Sequence, residues 1–119
     1  MINLDYNSRI PIYEQIVREI ERYIALGILK ENDKMPSIRQ MAIDLGINPN
    51  TVKKAYTILE NKKIISSLST KGTFITNNTK EVVDDKIEKE IEIIKEKIKE
   101  LEKLGISKDT ILKKVFKWF

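Results

Sequence analysis

Asn50, Lys53, Lys54 and Thr57 recur at a spacing that, on an α-helix, gathers them on one face. That face carries amide, ammonium and hydroxyl groups and meets no carboxylate until Glu60. Such a set suits base edges and phosphates. An asparagine can read adenine through two hydrogen bonds, a lysine reaches guanine or phosphate, and a threonine touches either a base or the backbone. The opposite face, Val52, Ala55, Tyr56 and Leu59, is apolar and reads as core. The plainer alternative is a solvated helix face, but such faces usually mix Glu with Lys, and this one does not. The N-terminal end of the same helix is expected to present unbonded N–H groups and a partial positive charge to a phosphate. A further cation, Lys71, falls at the tip of a short turn between two extended runs, where it would meet phosphate or the minor groove.

Other chemistries are poorly provided for. The 119 residues include no Cys and no His, which removes disulfides, Cys/His zinc sites and every nucleophilic mechanism built on those side chains. The acidic candidates, Asp84-Asp85 and the Glu-rich repeats after them, fall in an exposed helix with no base partner and no glycine-rich loop. No enzymatic activity, cofactor or metal is therefore expected. The start, Met1-Ile2-Asn3-Leu4-Asp5, lacks a basic segment followed by an apolar run, and no stretch is long and apolar enough for a bilayer. The protein is expected to be cytoplasmic. A net charge of +4 is a mild bias towards polyanions.

The elements that must position these residues can be read from caps and periodicity. The first helix is expected from Pro11, a suitable N1 residue, with Tyr13, Ile16, Ile20 and Ile24 at helical spacing and Gly27 at its end. Ser37-Ile38-Arg39-Gln40 is a capping-box pattern that opens a second helix, with Ile38, Met41, Ala42 and Leu45 as its buried stripe and Gly46 as a left-handed C-cap. Asn48 as N-cap and Pro49 at N1 open the third. Two helices joined by so short a turn form a helix-turn-helix, with Ile47 buried between them. The runs 64–68 and 73–76, separated by Ser69-Thr70-Lys71-Gly72, predict a β-hairpin, and a hairpin in that place is a wing. The fold class is thus mainly α with a small β-hairpin: a winged helix-turn-helix plus a C-terminal α-hairpin. The expected domains are 1–76 for the winged helix-turn-helix, 77–79 for a linker, and 80–119 for a helical dimerisation domain.

Three runs carry a family resemblance: Pro36 to Ala42; Asn48 to Tyr56 with Leu59-Glu60; and Lys71-Gly72-Thr73-Phe74-Ile75. Together with Ile12-Tyr13-Glu14-Gln15-Ile16, they resemble the DNA-binding domain of the GntR family of bacterial regulators over roughly residues 8 to 76. The short remainder and the Asn-Pro-Asn-Thr-Val start of the third helix are similar to the YtrA subfamily. That resemblance implies a DNA-binding transcription regulator, commonly a repressor of a neighbouring ABC transporter operon. It also implies DNA contacts for Arg39, Asn48, Asn50, Thr51 and Lys53, and for Lys71, Gly72 and Thr73 at the wing. Pro49 stands where many members carry arginine, so the operator is expected to differ. Glu31-Asn32 replaces a frequent Pro-Gly, with consequences for loop geometry only.

In the tail, Ile87, Ile91, Ile94, Ile98 and Leu101 alternate steps of four and three, a heptad seam. Gly105 ends that helix, and Ser107 caps another bearing Ile111, Leu112, Val115, Phe116, Trp118 and Phe119. So small a helical pair cannot bury this much apolar surface alone. A homodimer through the C-terminal helices is expected, bound to palindromic double-stranded DNA with recognition helices about 34 Å apart. The alternative for the tail is packing onto its own winged helix. Apolar residues of the hairpin could also line a pocket for a small-molecule effector, although no polar constellation marks one. The competing view of the whole chain is a winged-helix protein-interaction module with a coiled-coil tail and no DNA role.

Overall fold

The computed structural model describes residues 2–68, 70–77 and 79–117. The elements run α1 (Ile12–Ala25), β1 (Lys34–Met35), α2 (Ile38–Leu45), α3 (Pro49–Asn61), β2 (Ile65–Leu68), β3 (Gly72–Ile75), α4 (Thr79–Lys103) and α5 (Lys108–Phe116). The three strands form one antiparallel sheet in the order β1-β3-β2. The architecture is a winged helix-turn-helix followed by two helices. It divides into two compact units, Met1–Asp84 and Asp85–Phe119.

Local chemistry accounts for the boundaries in the first unit. Pro11 is the N-cap of α1, not its first helical residue: its ψ of 148° is extended, and its carbonyl accepts from the Gln15 N–H. The Ser37 hydroxyl caps α2 by accepting from the Gln40 N–H at 3.0 Å. The reciprocal half of the capping box is missing, because the Gln40 amide donates to Asp44 at 2.7 Å, one turn along the same helix. Gly46 closes α2 at φ +66°, where any other residue is strained. Asn48 and Pro49 open α3 as the sequence predicts.

The core gathers Ile16, Val17, Ile20 and Ile24 of α1, Met41 and Ala42 of α2, and Val52, Ala55, Tyr56 and Leu59 of α3, closed by Ile65 and Ile75 of the hairpin. Ile47 is only half-buried at its edge. Tyr56 is buried, and its hydroxyl donates to the Pro36 carbonyl at 2.6 Å, so the one polar atom on that face is satisfied. Burial pushes the pKa of this phenol up, which keeps it a donor. The hairpin pairs Ile65 with Ile75 and Leu68 with Gly72. β1 adds two pairs that the sequence reading does not anticipate, Lys34 with Phe74 and Met35 with Thr73.

Thr79, assigned from sequence to a linker, is the first residue of α4 and fully buried. Its hydroxyl lies 3.0 Å from the Ile64 carbonyl and 2.9 Å from the Thr76 carbonyl, and it bonds the Thr76 hydroxyl as well. Thr76 in turn donates to the Lys63 carbonyl at 2.6 Å. Val83, one turn on, belongs to the same core as α1 and α3. Asn78 of the expected linker and Ser69 of the expected turn lie outside the described residues.

In the second unit α4 continues to Lys103, and Gly105 at φ +92° turns the chain. Ser107 caps α5 by accepting from the Thr110 N–H at 3.2 Å. Ile111 is buried and Ile98 half-buried, whereas Ile87, Ile91, Ile94, Leu101, Val115 and Phe116 are exposed in the single chain. Trp118 and Phe119, expected on the apolar side of α5, lie outside the described residues.

Two substitutions test the anchors of the first unit. Tyr56→Phe and Thr79→Val keep shape while removing a buried hydroxyl, and each is expected to cost about 1–2 kcal/mol. Urea unfolding of each variant should show a lower midpoint at unchanged slope.

Candidate nucleic-acid interface

With Val52, Ala55, Tyr56 and Leu59 buried, α3 must turn Asn50, Lys53 and Thr57 outward, and all three are exposed. Among the described residues Lys53 forms no ion pair. Thr57 uses its hydroxyl proton on the Lys53 carbonyl one turn back, at 2.9 Å. What it offers outward is therefore an acceptor and a methyl group, not a donor. Glu60, the first carboxylate on this side, accepts from the Ser67 hydroxyl of β2 at 2.7 Å, a bond that ties the end of α3 to the wing.

Lys54 is placed differently from its helical neighbours. Its ammonium stands 4.0 Å from the ring centroid of Tyr13 on α1. This cation–π contact directs the charge towards α1 instead of leaving it free beside Lys53. The side chain stays exposed, so a phosphate can still approach it.

The start of α3 departs from expectation in one respect. The Asn50 N–H donates to the Asn48 side chain at 2.8 Å, and the Thr51 N–H to the Asn48 carbonyl at 3.0 Å. Pro49 has no N–H. The first-turn donors expected to await a phosphate are thus already used. What remains at this end is the helix dipole and the exposed amide nitrogen of Asn48. Thr51 is half-buried, so its reach to DNA is more restricted than that of Asn50.

Arg39 lies in the first turn of α2 and is exposed. Its only nearby acid in sequence, Asp44, accepts from Gln40 instead, and Arg39 forms no ion pair among the described residues. An arginine kept clear of its own carboxylates is available for a guanine or a phosphate.

At the wing, Lys71 is exposed and its N–H donates to the Leu68 carbonyl at 2.7 Å, which holds the tip. Gly72 is the first residue of β3, at φ +108°, which only glycine adopts readily. A methyl group there would also come within 3.1 Å of the Lys34 side chain. Lys34 is a cation that sequence reasoning missed. It sits on β1, a strand of two residues, too short for any alternation to reveal. It is exposed and joins Lys71 on the wing side of the molecule. Thr73 faces Ser67 across the hairpin, their hydroxyls 3.3 Å apart, so its side chain is engaged within the wing.

The surface thus assembled is an exposed polar helix face together with exposed cations on α2, β1 and the hairpin tip, with Glu60 engaged by Ser67 and Asp44 by Gln40. No group of acidic side chains that could hold a metal occurs among the described residues. No helix among the described residues is long and apolar enough to cross a membrane.

Comparison with known proteins places the chain among bacterial regulators. The model of the gntR family of bacterial regulatory proteins matches residues 12–75. The HTH-type transcriptional repressor YtrA of Bacillus subtilis is 43% identical over 101 residues, covering 85% of this chain and 75% of that protein. The crystal structure of a transcriptional regulator from Oenococcus oeni superposes with a TM-score of 0.77 at 37% identity, covering 98% of each chain. The DNA-binding domain of AraR, crystallised in complex with the operator ORR3, superposes with a TM-score of 0.54 at 26% identity, covering 62% of this chain and 89% of that one.

Arg39→Ala and Lys53→Ala are each expected to cost about 1–3 kcal/mol of operator binding and to relax specificity at one base position. Lys71→Ala should weaken binding to all sequences alike and lower the slope of log affinity against log salt by about one unit. Fluorescence anisotropy titrations over a salt series, on matched and singly mismatched duplexes, measure both.

Proposed function

As the chain belongs to the gntR family of bacterial regulatory proteins, and is therefore a non-enzymatic DNA-binding transcription regulator, we propose that it is a repressor that binds a palindromic operator as a homodimer. The observation that carries the DNA half of this reading is the outward face of α3, with Asn50 and Lys53 exposed and no unengaged carboxylate beside them. Asn50, Lys53 and Arg39 read bases. Lys71, Lys54 and the amide of Asn48 grip phosphates. Thr51 and Thr57 make closer apolar and acceptor contacts, and the backbone at Gly72 and Thr73 brings the wing up to the sugar-phosphate chain. Repression is supported by likeness to YtrA, which is itself a repressor.

The dimer is supported by surface that the single chain leaves in water. Ile94 is 58% exposed and Phe116 62%, and Ile87, Ile91, Leu101 and Val115 accompany them. Exposed apolar residues in one periodic stripe mark a place for a partner, whereas scattered ones do not. A second copy supplies the same stripe, and two-fold pairing of the 80–119 region gives two recognition helices for two half-sites. Ile98 and Ile111, the better covered members, lie at the root of that surface. The proposed target is a neighbouring operon for an ABC transporter, a reading that the family resemblance alone supports.

A gel shift on the promoter region beside the gene tests the function. The shift should weaken steeply with salt and require both halves of an inverted repeat. Absence of any palindrome-dependent shift favours a protein-interaction module instead. The double substitution Ile91→Glu/Ile94→Glu should turn the dimer into a monomer in sedimentation velocity and remove the dependence on half-site spacing. A wild-type chain that sediments as a monomer and binds one half-site as tightly as two would overturn the proposed assembly.

A further inference from the structure

The end of α1, the loop after it and the first turn of α4 border an open cleft of about 550 Å³ within the first unit. This volume is within the range of small-molecule sites, about 300–1,000 Å³. Its walls are mostly apolar, with Ile24 buried at the base, Leu29 half-buried and Leu26 still 59% exposed at the side. Two lysines stand at its rim, Lys30 and Lys80, and one carboxylate, Glu31. None of the three forms an ion pair among the described residues, so the opening carries a net positive charge. An exposed leucine in an apolar cleft that two unpaired lysines also line has the makings of a site for a molecule that is apolar at one end and anionic at the other.

The cleft adjoins a hydrogen-bonded joint between the wing and α4. Thr79, which also lines it, carries the hydroxyl that meets the Ile64 and Thr76 carbonyls. Ile64 lies between α3 and β2, and its N–H donates to the Leu59 carbonyl at the end of α3. Thr79 and Ile64 thus link the first turn of α4 to the end of α3 and to the wing by hydrogen bonds.

We propose that this cleft is a regulatory site for a small organic anion with a short apolar body, such as a carboxylate, held by Lys30 and Lys80 over the Ile24–Leu29 floor. The ligand bridges the end of α1 and the start of α4 and biases the Thr76–Thr79 joint, so that ligand and operator alter each other's affinity by the same factor. The coupling to operator rests on the DNA-binding reading above. Occupancy of the cleft does not.

The test uses the full chain labelled with 15N and three probes: hexanoate, hexan-1-ol and inorganic phosphate. Hexanoate at millimolar concentration should move the amide signals of Leu26 to Glu31 and of Lys80 to saturation. It should bind about tenfold more tightly than the alcohol, the worth of one charge-assisted hydrogen bond. Phosphate should not saturate these signals, and Lys30→Ala/Lys80→Ala should erase the preference for hexanoate over hexanol. Four results would overturn the site: no saturable shift with hexanoate, equal binding of the alcohol, phosphate binding as well as hexanoate, or an unchanged preference in the double variant. Operator titrations with and without hexanoate test the coupling, which should be present in the wild type and absent in the variant. A variant that loses operator affinity without any probe would place the two lysines in the DNA interface and also end the proposal. A wild type that binds hexanoate as stated but no DNA would instead sink the proposed function and leave the site standing.

Discussion

Four side chains of α3, Val52, Ala55, Tyr56 and Leu59, are almost wholly withdrawn from solvent, and together they fix the rotation of that helix about its own axis. Any turn of the rod would bring one of them into water and bury Asn50 or Lys53 without a partner, both costly changes. The Tyr56 hydroxyl adds direction to this non-directional force. Its bond to the Pro36 carbonyl joins the inward side of the reading helix to the residue just ahead of the α2 cap. Arg39 on α2 and Lys53 on α3 are thereby referred to one anchor. A surface that must match the spacing of base edges needs that kind of shared reference, since contacts carried on independently mobile elements lose their register.

The polar bonds around the interface serve a related purpose. Glu60 is held by Ser67, and Asp44 by Gln40. Each bond occupies a carboxylate, and neither Arg39 nor Lys53 forms an ion pair among the described residues. The positive character of the surface therefore arises less from an excess of lysine, which is modest over the chain, than from where the acids are tied. A net charge read from composition could not reveal this.

Much of the fold was legible because it is written in local chemistry. Ser37, Gly46, Asn48 and Pro49 each satisfy a backbone requirement at a helix end, and such requirements need no knowledge of the rest of the chain. The core face of α3 followed from spacing alone. What escaped was decided over longer distances. β1 has two residues and exists only because β3 lies beside it, so Lys34 gave no sign of its place at the wing. Lys54 shares a helical face with Lys53 on paper, yet Tyr13 of α1 captures its ammonium. Gln40 had a choice between closing a capping box and bonding Asp44, and the sequence contains both options. Asn32 takes a left-handed conformation, φ +68°, which sequence spacing gave no reason to expect; among side-chain-bearing residues asparagine tolerates that geometry best. The seam of α4 was visible as a periodicity, and Ile87, Ile91, Ile94 and Leu101 along it are exposed in the single chain.

The burial of Thr79 and Val83 has a consequence for modularity. The division that sequence composition suggests, just after the wing, would cut through the packed interior of the first unit and remove the Thr79 hydroxyl from the Ile64 carbonyl, leaving that carbonyl to Thr76 alone. A transplantable reading head must therefore carry the opening turns of α4 with it, through Asp84, where the compact unit ends. Recombination or fusion at the wing would deliver a headpiece with an open seam, whereas a splice further along the helix would exchange the tail and leave the interior closed.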